Sequence, residues 1–288
     1  MCADNGVVEE GVTQTGQEVT AIVSENFLNA KTSARIMADH TNTDVFPVDI
    51  GIARDTCIIS RKVAYGTKNL YKEPAMTRKE AIISILIGTQ LVEQLKENGY
   101  GMIATGEMGI GNTTTSSAVA SVLLGVPVEE VTGRGAGLTT KGLEKKIDVI
   151  KSAIQLHNLK NTDIDVLDII SSVGGFDLCG LVGVFLGGAI YRVPIVIDGF
   201  ISAVSALAAD RICKFTRMYA ISSHVSREPA CTMVLQAMDK VPHITCGMSL
   251  GEGTGALAFI PILELALSIY KEMSTFHDIQ IEDYQPLN

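Results

Sequence analysis

The feature that most constrains this chain is an alternation of short, continuously apolar runs of strand length with longer segments of helical periodicity. The runs are "DVFPVDI" (Asp44–Ile50), "GMIAT" (Gly101–Thr105), "VPIVI" (Val193–Ile197), "MYAIS" (Met218–Ser222) and "ITCGMSL" (Ile244–Leu250). Several lack the polar alternation of a half-exposed strand, so they are expected to be buried on both faces, as in a parallel sheet covered by helices. Between them the 3.6-residue period predicts helices at Glu18–Asp39, Arg78–Asn98, Asn112–Leu124, Thr140–Asn158, Leu178–Ala189, Ile201–Cys213, Ala230–Asp239 and Thr254–Glu272. "TRKE" (Thr77–Glu80) reads as a capping box ahead of the second of these. The expected fold class is α/β, with a mostly parallel sheet between helices.

Glycines and polar residues gather where strands end or helices begin: "TGEMGIGNTT" (Thr105–Thr114), "GRGAG" (Gly133–Gly137), "GGFD" (Gly174–Asp177), "DGF" (Asp198–Phe200), "SREPA" (Ser226–Ala230) and "GEGTG" (Gly251–Gly255). In an open parallel sheet the carboxyl ends of the strands border one crevice, and ligands bind there. From Gly106 to Thr113 the first loop has the outline of a P-loop, G-x-x-x-x-G-x-[ST], with Asn112 where that motif carries lysine. The missing lysine argues against a nucleoside triphosphate and against a P-loop nucleotidase. One phosphate can still be held by the helix-start amides and hydroxyls of Asn112, Thr113 and Thr114. The alternative is a glycine-rich turn capped by Asn or Thr, with no ligand.

Two glutamates stand beside these glycines. Glu252 reads either as a general base of raised pKa or as a carboxylate capping the helix that follows, and Glu107 poses the same choice. Asp177 and Asp198 fit ribose hydroxyls or simple Asx turns. Lys146, next to Lys145 on an amphipathic helix, reads as part of a solvated face.

With 23 Lys and Arg against 32 Asp and Glu, the net charge is −9, and there is no basic tract to attract nucleic acid or an anionic membrane. The six cysteines form no C-x-x-C pair and are expected to be reduced thiols in a cytoplasm. The five histidines have no metal-ligand spacing. The run Leu178–Tyr191 is too short to span a bilayer, and the N-terminus lacks the pattern of a secretory signal.

Taken in order, "GEMGIGNTT", "GRGAG", "GGFD", "VIDGF" and "GEGTGA" resemble the nicotinate-nucleotide:dimethylbenzimidazole phosphoribosyltransferases of the cobalamin pathway, the CobT family. The similarity runs from "CADNGVVEEGVTQTGQEVTA" to the helix ending near Phe276. It implies a Rossmann-like phosphoribosyltransferase domain over residues 1–276 and a tail at 277–288. Within the domain, a large α/β part spans about residues 43–260, and the N- and C-terminal helices form a smaller helical part. It also implies transfer of 5-phosphoribose from nicotinate mononucleotide to an aromatic base, an azole or a phenol, without metal or cofactor. By match to the family motifs, Glu252 and Glu107 are the catalytic acids. Gly111, Asn112, Thr113, Thr114, Gly133, Gly135, Gly175, Asp198 and Gly199 line the phosphoribosyl group, and Thr15, Val23 and Met108 line the acceptor pocket. A homodimer is implied; the alternative is a non-catalytic or co-catalytic subunit paired with a paralogue. Two departures stand out. The family usually carries an upstream segment with a strand leading into "CADNG", so the start is expected to be truncated or misassigned, or the missing part supplied by a partner, and the family commonly has Asp-His where this chain has Asp4-Asn5.

Overall fold

The structure is a computed structural model that describes residues 1–29, 31–160 and 163–285. Its first parallel sheet holds β1 (Cys2–Ala3), β2 (Val48–Gly51) and β3 (Ile59–Ser60), in that order. A second holds β4 (Ile103–Ala104), β5 (Ile195–Ile197) and β6 (Ala220–Ser222), also all parallel. Met108, just past β4, joins the two: its N–H donates to Met1 O at 3.0 Å and its carbonyl accepts from Ala3 N at 3.1 Å. The joined order is β3-β2-β1-β4-β5-β6, the dinucleotide-fold arrangement, in which the order reverses between β1 and β4 and a crevice opens beyond the strand ends. "CADNG" therefore itself supplies a central strand. A separate parallel pair, β7 (His224–Ser226) and β8 (Ile244–Met248), continues past β6.

The helices are α1 (Glu18–Asn26), α2 (Ser33–His40), α3 (Arg78–Glu97), α4 (Asn112–Leu124), α5 (Val128–Val131), α6 (Thr140–Leu156), α7 (Val166–Val173), α8 (Phe176–Tyr191), α9 (Phe200–Ile212), α10 (Cys231–Gln236) and α11 (Thr254–Glu272). The Thr77–Glu80 capping box is present at the start of α3, where Glu80 N donates to Thr77 Oγ1 at 3.2 Å and Thr77 N to Glu80 Oε2 at 2.7 Å. Losing such a cap costs about 1 kcal/mol.

The continuous helix expected over Glu18–Asp39 is not found. α1 ends at Asn26, a 3₁₀ turn covers Phe27–Asn29, and Thr32 opens α2 by accepting from Arg35 N at 3.2 Å; residue 30 lies outside the described residues. A threonine hydroxyl that captures a backbone N–H favours a cap over a helix interior, so the apolar period continues while the helix does not. The run Ile244–Leu250 differs too: β8 exposes most of its residues, because it belongs to the outlying pair and not to the covered sheet.

The main core lies between the joined sheet and α3, α4, α8 and α9, and is filled by Phe176, Leu178, Phe185, Ile195 and Ile197. α3 and α8 approach closely at glycines: a β-carbon on Gly88 would strike Gly180 O, and one on Gly183 would strike Ile85 O. That contact explains why so apolar a helix is rich in glycine. A smaller core of Phe27, Ala34, Ala38, Leu257 and Ile260 fills the space between α2 and α11. α11 has the length and apolar composition to cross a bilayer, but Ala256, Leu257, Phe259 and Ile260 in its first half are buried against the protein.

Candidate active site

A cavity of about 250 Å³ opens at the crevice between the two halves of the sheet. Its wall includes Glu107, Met108, Gly111, Asn112, Thr113, Gly135, Asp198, Gly199 and Glu252, together with Thr15 and Val23 from the N-terminal segment. The sequence places these residues in separate loops; the fold brings them around one space. Thr114, Gly133 and Gly175 are not in that wall. Thr114 is fully buried behind it, Gly175 caps the start of α8, and Gly133 lies beneath Glu228.

The first turn of α4 sorts the polar groups. Gly111, with φ of 92°, turns the chain into the helix. Asn112 Nδ2 then points to an acid cluster, donating to Glu107 Oε2 and, at 3.0 Å, to Asp177 Oδ2. Burial pushes the Glu107 carboxyl up to about 8 and that of Asp177 up to about 6. At neutral pH Glu107 is therefore a neutral acid, able to donate a hydrogen bond, while Asp177 is mostly ionised. Asn5 lies against the same cluster and donates to Ile110 O at 3.4 Å.

The next residue, Thr113, serves a cation. Its Oγ1 accepts from Lys146 Nζ at 2.9 Å, and the same ammonium donates to Gly133 O at 3.1 Å. Lys146 is fully buried, contrary to the solvated face expected from its neighbour Lys145. α6 turns that position onto the GRGAG loop, and burial lowers the Lys146 ammonium to about 8. The charge missing from the P-loop outline is thus supplied from a helix further along the chain. Lys146 reaches the cavity through Thr113 and not by standing in its wall. Sequence alone held one signal for it, an odd lysine on the face that carries Val149, Ile150 and Ala153.

Glu252 stands at the opposite end, in strained backbone. Gly251, Glu252 and Gly253 have φ of 85°, 62° and 89°, and a non-glycine residue in that region costs on the order of 1 kcal/mol. The kink is fixed by Asp198, which accepts from Gly253 N at 3.2 Å, Gly255 N at 2.8 Å and Ala256 N at 3.1 Å. Asp198, not Glu252, caps α11. The Glu252 carboxyl is left half-buried, its pKa raised by burial, with a long contact from Ala34 N at 3.5 Å. A β-carbon on Gly251 would fall 2.5 Å from Glu107 Oε1, so the two glutamates meet across this loop. A second, apolar cavity of about 280 Å³ reaches the same two glutamates from the side of Phe27, Phe46 and Leu257. Among the described residues no three of His, Cys, Asp and Glu are grouped to hold a metal ion.

Residues 1–281 match the family described as "Phosphoribosyltransferase", DBI_PRT. The nicotinate-nucleotide–dimethylbenzimidazole phosphoribosyltransferase of Ruminiclostridium cellulolyticum is 49% identical over 290 residues, covering 100% of this chain and 82% of the relative. The enzyme of the same name from Acetivibrio thermocellus is 48% identical over 289 residues, covering 99% of this chain and 82% of the relative.

The chain belongs to the CobT family.

The crystal structure of CobT from Thermus thermophilus superposes on it with a TM-score of 0.92 at 35% identity, covering 98% of this chain and 84% of that one. The Rossmann-like α/β fold expected from the sequence is the fold of these CobT neighbours.

Proposed function

We propose that this chain transfers 5-phosphoribose from nicotinate mononucleotide to an aromatic base, giving nicotinate and the α-ribotide of a cobamide lower ligand. One observation carries this reading: a single cavity has glycine-loop amides backed by a buried cation at one end and a half-buried glutamate at the other. The family membership supports it across the whole chain.

The 5-phosphate fits the first end. Thr113, the Gly135 loop and the Lys146 charge behind them form a seat for one phosphate, and no lysine for a polyphosphate is needed. The ribose then extends past Asp198 and Gly199 toward the acid cluster, where neutral Glu107 can donate to a hydroxyl without repelling it. As the bond from C1 of the ribose to the nicotinate nitrogen breaks, its electron pair returns to the pyridinium ring, so the leaving group needs no proton. The positive charge that develops on the ribose is stabilised by the nearby carboxylates. A ring nitrogen of an azole acceptor, or the hydroxyl oxygen of a phenol, held against Thr15, Val23 and Met108, attacks from the opposite face and inverts β to α. Glu252 removes the proton from the acceptor's other nitrogen, or from the hydroxyl of a phenol.

The assembly we assign is a homodimer, with the exposed Leu265, Ile269 and Tyr270 of α11 as a face for the second copy; sedimentation of the purified chain tests it. A cytoplasmic site fits the six unpaired cysteines. Incubation with nicotinate mononucleotide and a panel of azoles and phenols, followed by product mass, tests the reaction. Release of nicotinate with a ribotide of the added base is expected, and no ribotide from any member of the panel overturns the proposal.

A further inference from the structure

The loop after β7 puts an acid where the proposed function puts a phosphate. Glu228 Oε1 accepts from Gly135 N at 3.1 Å, the amide of the GRGAG loop that borders the cavity. Its other oxygen, Oε2, is buried against Gly133 and has no hydrogen-bond partner among the described residues. Gly133 must lack a side chain, since a β-carbon there would collide with this carboxylate. The negative charge of Glu228 is felt at Lys146, where it partly offsets the lowering caused by burial. The ammonium itself directs two of its three N–H bonds to Thr113 and Gly133, leaving one without a partner among the described residues. A carboxylate with one oxygen on a loop amide and the other unpartnered against Gly133, in the field of a buried cation, imitates a bound phosphate. A buried acceptor left unsatisfied is costly, so the arrangement gains when a better anion takes its place.

On the phosphate-seat assignment proposed above, we infer that Glu228 is an internal competitor for the substrate's phosphate: its carboxylate fills the anion seat of the free enzyme and is displaced when the 5-phosphate enters. The consequence is selectivity. A dianion with three acceptor oxygens can take the Gly135 amide and the Thr113 hydroxyl together in the field of Lys146, whereas a second carboxylate offers nothing that Glu228 does not already supply. The nicotinate released in the reaction carries a carboxylate, so the device keeps that product out of the phosphate seat. The hinge is short: Glu228 N donates to Ser226 Oγ at 3.3 Å, and Glu228 O accepts from Cys231 N at 3.1 Å, so the backbone is held and only the side chain has to swing.

The test compares the parent with Glu228→Gln and Glu228→Ala, using inorganic phosphate as the probe in calorimetry and nicotinate mononucleotide in kinetics. Both variants are expected to bind phosphate more tightly, on the order of tenfold if about one parent molecule in ten presents an open seat. KM for nicotinate mononucleotide should fall by a similar factor while kcat does not rise, the mark of uniform binding. Inhibition by nicotinate should strengthen in Glu228→Ala, where the seat is open to a carboxylate. Glu228→Gln is isosteric, and its thermal melt checks that the loop is intact. Unchanged or weaker phosphate binding in an intact Glu228→Gln overturns the inference, because Glu228 then supports the substrate and does not compete with it. A parallel Lys146→Met variant separates the two levels. If it loses phosphate binding while the Glu228 variants gain none, only the competitor role fails; if Lys146→Met binds phosphate and mononucleotide as the parent does, the seat itself is misassigned.

Discussion

Asn112 and Thr113 are neighbours in the first turn of α4, yet they serve opposite ends of the site. Asn112 binds two buried acids and Thr113 binds one buried base. Desolvation raises both acids, Glu107 to about 8 and Asp177 to about 6, so at neutral pH only Glu107 is neutral, whereas the base keeps a charge up to about pH 8. A single helix start thus separates an acidic end from a basic one, which the proposed function assigns to the sugar and to the phosphate. The cation serves position. On the proposed reading, one ammonium fixed behind a threonine sets where the phosphate sits, and the two glutamates act on the reacting carbon. The acid end should therefore govern kcat and the base end KM.

The largest effect that bears on this division is expected at Glu252. Glu252→Gln keeps shape but removes the base, and kcat should fall by roughly 10²–10³-fold with KM for nicotinate mononucleotide little changed. A phenol carries its proton on the attacking oxygen, so its transfer should lose more than that of a benzimidazole. Equal losses for both acceptors in one preparation would mean that Glu252 stabilises the ribosyl cation or positions it, and is not the base. At the other end, Lys146→Met should raise KM for the mononucleotide by roughly 10–100-fold, since a hydrogen bond to a charged group contributes about 1.5–3 kcal/mol. A variant that instead lost kcat at constant KM would break the comparison.

The pH dependence sharpens it. The buried Lys146 has its ammonium lowered from 10.5 to about 8, so between those values the folded chain holds fewer protons than the unfolded one. Its contribution to stability therefore improves as pH rises through that window, while phosphate binding, which needs the ammonium, weakens. KM for nicotinate mononucleotide should climb above about pH 8, approaching tenfold per pH unit, and Lys146→Met should abolish the climb. The Glu107 carboxyl is raised from 4.5 to about 8, the reverse case: the folded chain holds the extra proton, and that stabilisation is lost as pH rises toward 8. Glu107→Gln should accordingly leave the KM climb in place, and its disappearance in that variant would assign the titration to the acid end. The smallest effect is expected at Thr113, where Thr113→Val removes one acceptor from Lys146 and one hydroxyl from the seat. Mononucleotide affinity should drop about fivefold, for about 1 kcal/mol, with binding of free nicotinate unaltered. Equal loss for both ligands would place Thr113 away from the phosphate.

Much of this architecture was legible in the chain. The apolar runs at Val193–Ile197 and Met218–Ser222 appear as β5 and β6, and the capping box marks the start of α3 to the residue. The glycine loops were recognisable because a strand-to-helix turn in a parallel sheet advertises itself through glycine and small polar residues. β3, β7 and α7 left no comparable trace: two or three residues of strand have no period to read, and α7 is defined by Asp165, whose side chain accepts from Leu167 N at 2.8 Å. In the site, Glu252 announced itself by standing between two glycines. Lys146 did not, because its burial depends on where α6 lies against a loop that precedes it, and Lys145 beside it points to water in the same pattern.

The sequence by itself determined the classes of element, their order, and the residue types at the strand ends, because periodicity and turn chemistry are local. Tertiary structure decided the ionisation. A carboxyl or an ammonium takes its pKa from burial and from neighbours that are distant along the chain, as Glu107 does from Asp177 and Asp198, and Lys146 from Glu228. Which acid is neutral and which lysine lies buried behind the phosphate seat are properties of packing, and only the folded chain contains them.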